Sequence, residues 1–122
     1  AWMDWAHTTL QPDFLNGVFW GYFRTPAPKR DMQKVEPALA RCTQHFSLLD
    51  GMLDDGRHFL LGDHMTLADI AIGTHLFRYF EMELDRPALP NLLEYYQRLQ
   101  NRPAYRHGVM IPFDDLFGRL DF

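Results

Sequence analysis

One thiol, six imidazoles and a carboxylate set in a helix start are the side chains in this sequence best suited to chemistry. Cys42 falls between Leu39 and Phe46 in an apolar stripe. A thiol so placed keeps its proton and packs as a small hydrophobe, so a nucleophilic role is not expected. The histidines stand at 7, 45, 58, 64, 75 and 107. They form no His-x-His or His-Glu-x-x-His pair, and one cysteine cannot build a thiolate cluster, so no metal site is expected. His75 is expected to be a hydrogen-bonded core residue. Ser47 lacks the Gly-x-Ser-x-Gly turn of a hydrolase nucleophile. Asp69 invites reading as a catalytic acid, but Thr66-Leu67-Ala68-Asp69 has the form of a capping box. In that motif the threonine side chain accepts from the Asp69 amide, and the carboxylate reaches back to the Thr66 amide. Met65 and Ile70 occupy the two staple positions around it. Asp69 is therefore expected to hold structure rather than move protons.

The elements that would position such groups are helical throughout. Residues 1–23 read as one long helix, with Trp2, Trp5 and Thr9 on one face and a kink expected at Pro12. Residues 24–30 are a proline-broken linker, and Asp31 is a helix cap. Over residues 32–54 the apolar positions Val35, Leu39, Cys42, Phe46, Leu49 and Leu53 make a single helical stripe. Residues 57–65 are a short connection with Phe59, Leu60 and Leu61 against the core and a tight turn at Gly62. Residues 66–81 are apolar on more than one face, which predicts a central, buried helix. A further helix over 91–101 turns Leu92, Tyr95, Tyr96 and Leu99 inward. Pro103 opens a last short helix through His107, in which Tyr105 and Arg106 tie the final helices together. Residues 108–122 show no period. The expected fold is all-α, a bundle of about five helices around a buried central one.

The bulk numbers limit the partners. The chain has 122 residues, one domain's worth, with 47% hydrophobic and 15% aromatic content. A net charge of −4 with scattered Lys and Arg leaves no basic stripe for nucleic acid. No apolar run is long enough to span a bilayer. A single cysteine fits a reducing, cytoplasmic compartment.

Three segments, in order, carry a family likeness. The string FLLGDHMTLADIAIG resembles the glutathione transferase signature that opens that family's sixth helix. PNLLEYYQRLQNRPAYR resembles the next helix and the turn after it, and WMDWAHTTLQPDF resembles the fourth helix of bacterial members. The resemblance implies that residues 1–122 are the helical carboxy-terminal domain of a homodimeric, cytoplasmic glutathione transferase. It implies a thioredoxin-like amino-terminal domain outside this chain, which binds most of the glutathione and holds the catalytic residue. None of the catalytic residues is then expected here, and the chain alone is expected to be inactive. The implied substrate is a hydrophobic electrophile, contacted from the first helix. Trp5, Thr8, Gln11 and Leu15 share one face of an α-helix and are the candidate contacts. The bacterial class with a catalytic cysteine has a His-Lys pair where Gln11-Pro12 stands, so the resemblance does not extend to that class. Two other roles go with the same scaffold: a non-catalytic module for protein assembly, and a glutathione-dependent disulfide reductase or peroxidase. The tryptophan-rich first helix is expected to leave an apolar patch that drives self-association of the isolated chain.

Overall fold

A computed structural model describes residues 1–121. The first helix, α1, is α-wound over Trp2–Trp5 and continues without a break as a π-wound run over Ala6–Arg24. Turns closed five residues apart usually occur singly, so a run of this length is unusual. Its buried residues Ala6, Leu10, Phe14 and Val18 step by four, a longer repeat than the 3.6 of an α-helix. The kink expected at Pro12 is met instead as a change of winding. The helix leaves the α form upstream of the proline and runs through it, the wider turn giving room to a ring that would strike the carbonyl four residues back.

The second helix, α2, spans Met32–Met52 and begins at Asp31, whose carboxylate accepts from the Gln33 amide at 3.2 Å. Its apolar stripe faces the core as expected, except that Leu39 is half-buried at the edge. A short 3-10 turn over Leu53–Asp55 ends it, and Gly56 follows at φ 80°. α1 and α2 pack along each other. They come so close that a Cβ on Gly17 would lie 2.6 Å from the Ala38 Cβ, so only glycine fits there. Asp13 of α1 bridges to Arg41 at 2.9 Å and His45 at 2.7 Å on α2. Burial pushes the Asp13 carboxyl up, but the hydrogen bonds from His45 and Arg41 outweigh it and hold it below its ordinary value.

The third helix, α3 (Leu67–Glu81), has the capping box, and the box is only part of a larger junction. Asp69 is completely buried. One carboxylate oxygen accepts from the Thr66 amide at 2.8 Å and the Thr66 hydroxyl at 3.4 Å. The other accepts from the Leu60 amide at 3.0 Å and the Tyr95 hydroxyl at 2.5 Å. One side chain thus joins the connection before α3, the start of α3 and the helix α4, which spans Pro90–Gln100. Burial, then the bond to Asp69, keeps the Tyr95 phenol protonated far above its ordinary range. Met65 and Ile70 are half-buried against the core beside it. The expectation that Leu61 packs inward is corrected: Phe59 and Gly62 pair their backbones, and Leu61 at the tip of that turn is 65% exposed.

The central helix is also less enclosed than its composition implies. Ala68, Ile72, Gly73, Leu76, Phe77 and Tyr79 are buried, but Leu67 is 71% exposed. Ile70, Ala71, Thr74, His75 and Arg78 are half-buried. Those positions recur every three or four residues and form one open stripe.

α4 receives its cap from another helix, the Leu92 amide donating to the Asp50 carboxylate of α2 at 2.8 Å. The last helix, α5 (Pro103–Gly108), turns Tyr105 inward. Its hydroxyl donates to the Gly73 carbonyl at 2.6 Å, and a Cβ on Gly73 would lie 2.7 Å from the Tyr105 ring. Tyr105 therefore ties α5 to α3; Arg106 stays local, donating to the Gln100 carbonyl at 2.7 Å. The tail is ordered by α1: Phe113 and Phe117 pack edge-on against Phe23, and a 3-10 turn at Asp114–Leu116 lies between them. Arg24, 2% exposed, donates to the carbonyls of Arg119 at 2.8 Å and Asp121 at 2.6 Å. No strand forms among the described residues, and none of their helices is long and apolar enough to cross a membrane.

Two stability tests follow from the buried polar groups. Asp69→Ala strands the donors of Leu60, Thr66 and Tyr95 and should cost about 4 kcal/mol in urea unfolding, an unchanged midpoint refuting the junction. The Tyr79 hydroxyl is buried with no acceptor among the described residues. Tyr79→Phe should therefore be neutral or stabilising by up to about 1 kcal/mol, while Tyr105→Phe loses about 1–2 kcal/mol.

Candidate ligand cleft

The open stripe of α3 and the start of α1 form the two walls of a cleft of about 470 Å³, with Asp4, His7 and Gln11 on one wall and Ala71, Thr74 and His75 on the other. The helices run in the same direction there. His75 meets the edge of Phe14 with ring centroids 5.9 Å apart, and further along Arg78 lies over Phe19. Thr74 donates to the Ile70 carbonyl at 2.8 Å. His75 is not the hydrogen-bonded core residue expected from its helix. It is half-buried and bonded to no described residue. Burial, reinforced by the charge of Arg78, pulls its pKa down to about 4, so it is a neutral imidazole near neutral pH.

The four first-helix candidates do not gather in one place. Gln11 is on the cleft wall. Trp5 faces α2, edge-on to Trp2 at 5.8 Å and to His45 at 6.3 Å. There it lines a second groove of about 350 Å³ with Trp2, Leu48, Leu49 and Met52. Thr8 is exposed, its hydroxyl donating to the Asp4 carbonyl at 2.7 Å. Leu15 packs half-buried against the core and lines neither space. The face argument assumed 100° per residue, and the wider winding from Ala6 onward rotates these positions apart. His7, Thr74 and His75 were not singled out from sequence as cleft residues. The signal was available in α3, where Thr74, His75 and Arg78 put polar groups on one edge of an otherwise apolar helix.

No thiol or metal cluster serves the cleft. Cys42 is fully buried, and burial, with the Asp13 charge adding to it, pushes the thiol up to about 12. Among the described residues no group of three His, Cys, Asp or Glu side chains is placed to hold a metal ion.

Comparison with known proteins places this architecture. Residues 32–98 match the family model described as glutathione S-transferase, C-terminal domain. The chain belongs to the glutathione S-transferase family. It is 39% identical over 111 residues to glutathione S-transferase GstB of Escherichia coli K12, covering 91% of this chain and 52% of that protein. A putative glutathione S-transferase of Schizosaccharomyces pombe is 36% identical over 77 residues, 61% of this chain and 34% of its own length. The fold superposes on the theta class glutathione S-transferase of Xanthomonas axonopodis pv. citri with glutathione bound. The TM-score there is 0.84 at 37% identity, covering 91% of this chain and 57% of that one. The glutathione S-transferase fold of the chain spans about half the length of the curated relatives it matches.

The depressed His75 sets the sign of an acid response. Between about pH 4 and its ordinary 6.5, the unfolded chain binds a proton at His75 that the folded chain does not. Stability therefore rises with pH across that window and is lost as pH falls through it, by about 2 kcal/mol. Denaturant unfolding from pH 7 to pH 4 should show this slope, and His75→Leu should flatten it. A slope unchanged in the variant would assign the acid response elsewhere.

Proposed function

We propose that this chain is the electrophile-binding half of a glutathione transferase. The observation that carries the reading is the match across 91% of the chain to GstB, together with a cleft, walled by α1 and α3, that mixes apolar and polar groups. In this proposal a thioredoxin-like domain in the full protein binds glutathione and lowers the pKa of its thiol. The helical domain desolvates the electrophile and holds it beside the sulfur. With an aryl chloride the thiolate sulfur attacks the ring carbon bearing chlorine. A C–S bond forms, the C–Cl bond breaks, chloride leaves with the bonding pair, and the thiol proton goes to solvent.

Gln11 is the first-helix residue we assign to substrate contact, supported by its position on the cleft wall beside Thr74 and His75. Trp5, Thr8 and Leu15 we assign to shaping α1 and its packing. The apolar groove at Trp2, Trp5, Leu48 and Met52 fits the proposed homodimer, since it is walled almost entirely by apolar atoms.

The test is conjugation of chlorodinitrobenzene to glutathione by the full-length protein, followed as the increase in product absorbance. Turnover is expected from the full protein and not from residues 1–122 alone. Gln11→Ala should raise KM for the electrophile by about threefold to tenfold with KM for glutathione unchanged. A full-length protein that reduces glutathione-mixed disulfides but conjugates nothing would move the reading to a reductase. One that does neither would favour an assembly module.

A further inference from the structure

We propose that Arg78, one turn of α3 beyond the lining of the α1–α3 cleft, is an anion anchor that selects electrophiles carrying a carboxylate; this deepens, and rests on, the reading of that cleft as the electrophile site. Arg78 lies one turn beyond Thr74 and His75 on the open stripe of α3. Its guanidinium carbon sits 4.3 Å from the centroid of Phe19, a cation–π contact that uses none of its N–H donors. None of them meets an acceptor among the described residues, and no carboxylate there pairs with it.

The surroundings make this arrangement costly without an anion. Arg78 is half-buried, and burial and the neighbouring positive charge of Arg24 both press against its protonated form. A guanidinium stays charged regardless, so a counter-charge would relieve that cost. Phe19 holds the group at this end of the stripe, and a carboxylate matches a guanidinium fork with two parallel hydrogen bonds. Among the described residues the one carboxylate lining the cleft, Asp4, is on the first turn of α1, away from Arg78. A ligand with an aromatic body and one carboxylate is thereby oriented: its charge goes to Arg78, away from Asp4, and its ring lies between Gln11 and Thr74. A neutral ligand of the same shape lacks that handle.

Binding rather than turnover tests this, so that a failure of the transferase reading is seen separately in the conjugation assay. The full-length protein is titrated with dinitrobenzoate and with dinitrobenzene, neither of which can be conjugated by chloride loss, and tryptophan fluorescence is followed. The wild type should bind the carboxylate about tenfold more tightly, a typical yield for a charged hydrogen-bonded pair. Arg78→Gln should remove that preference while leaving dinitrobenzene affinity within about twofold, and Arg78→Lys should keep part of it. Dinitrobenzene binding is the internal check that the variants are folded. Equal affinities in the wild type would overturn the proposal, as would a preference that survives Arg78→Gln. Competition between glutathione and dinitrobenzoate but not dinitrobenzene would assign the anion to glutathione and overturn it as well.

Discussion

A carboxylate with no access to water must have every lone pair engaged, and Asp69 achieves this by drawing donors from three separate pieces of chain. The Leu60 amide comes from the connection, the Thr66 amide and hydroxyl from the helix start, and the Tyr95 phenol from α4. Each donor fixes a position that packing alone would leave adjustable. With α3 and α4 locked at that point, Gly73 is brought under Tyr105, and α5 closes over both. Apolar burial supplies most of the driving force, but it is indifferent to small slides of one helix on another. A buried charge with four partners is not, because any slide strands a donor.

The second determinant is the winding of α1. A π-wound helix advances its faces more slowly than an α-helix, so Leu10, Phe14 and Val18 all reach the core at steps of four. That rotation turns Gln11 toward α3, while Trp5 in the α-wound start faces α2, making two surfaces of different character on one helix. The groove that α1 makes with α2 at its start is almost wholly apolar. The surface toward α3 carries a carboxylate, an imidazole and an amide, from Asp4, His7 and Gln11. The division between an apolar groove and a polar face is thus made by backbone geometry before any side chain is considered.

How much of this was legible in the sequence depends on how local each cause is. The capping box, the Asp31 cap, the α2 stripe and the all-helical class were readable because their determinants lie within a few residues. The Asp50 cap of α4 was not, since donor and acceptor are 42 positions apart. Neither were the two further partners of Asp69. The faces of α1 were misjudged because an α repeat was assumed where the apolar spacing of four already hinted at wider turns. Leu67 and Leu61 show the limit of hydrophobicity as a guide: both are leucine, both sit in apolar strings, and both face outward because the backbone on either side is fixed by hydrogen bonds that leave no choice of direction.

The clasp at the end of α1 shows why the tail carried no recognisable pattern. Arg24 grips the main chain of residues 119 and 121, not their side chains. A carbonyl is supplied by any amino acid, so those two positions are free to vary in type while their spacing from Phe113 and Phe117 is held. Selection would then act on the arginine and on the number of residues in the return path. Sequence drift in this tail should leave the bundle intact, whereas a single inserted or deleted residue would shift the oxygens out of the guanidinium's reach.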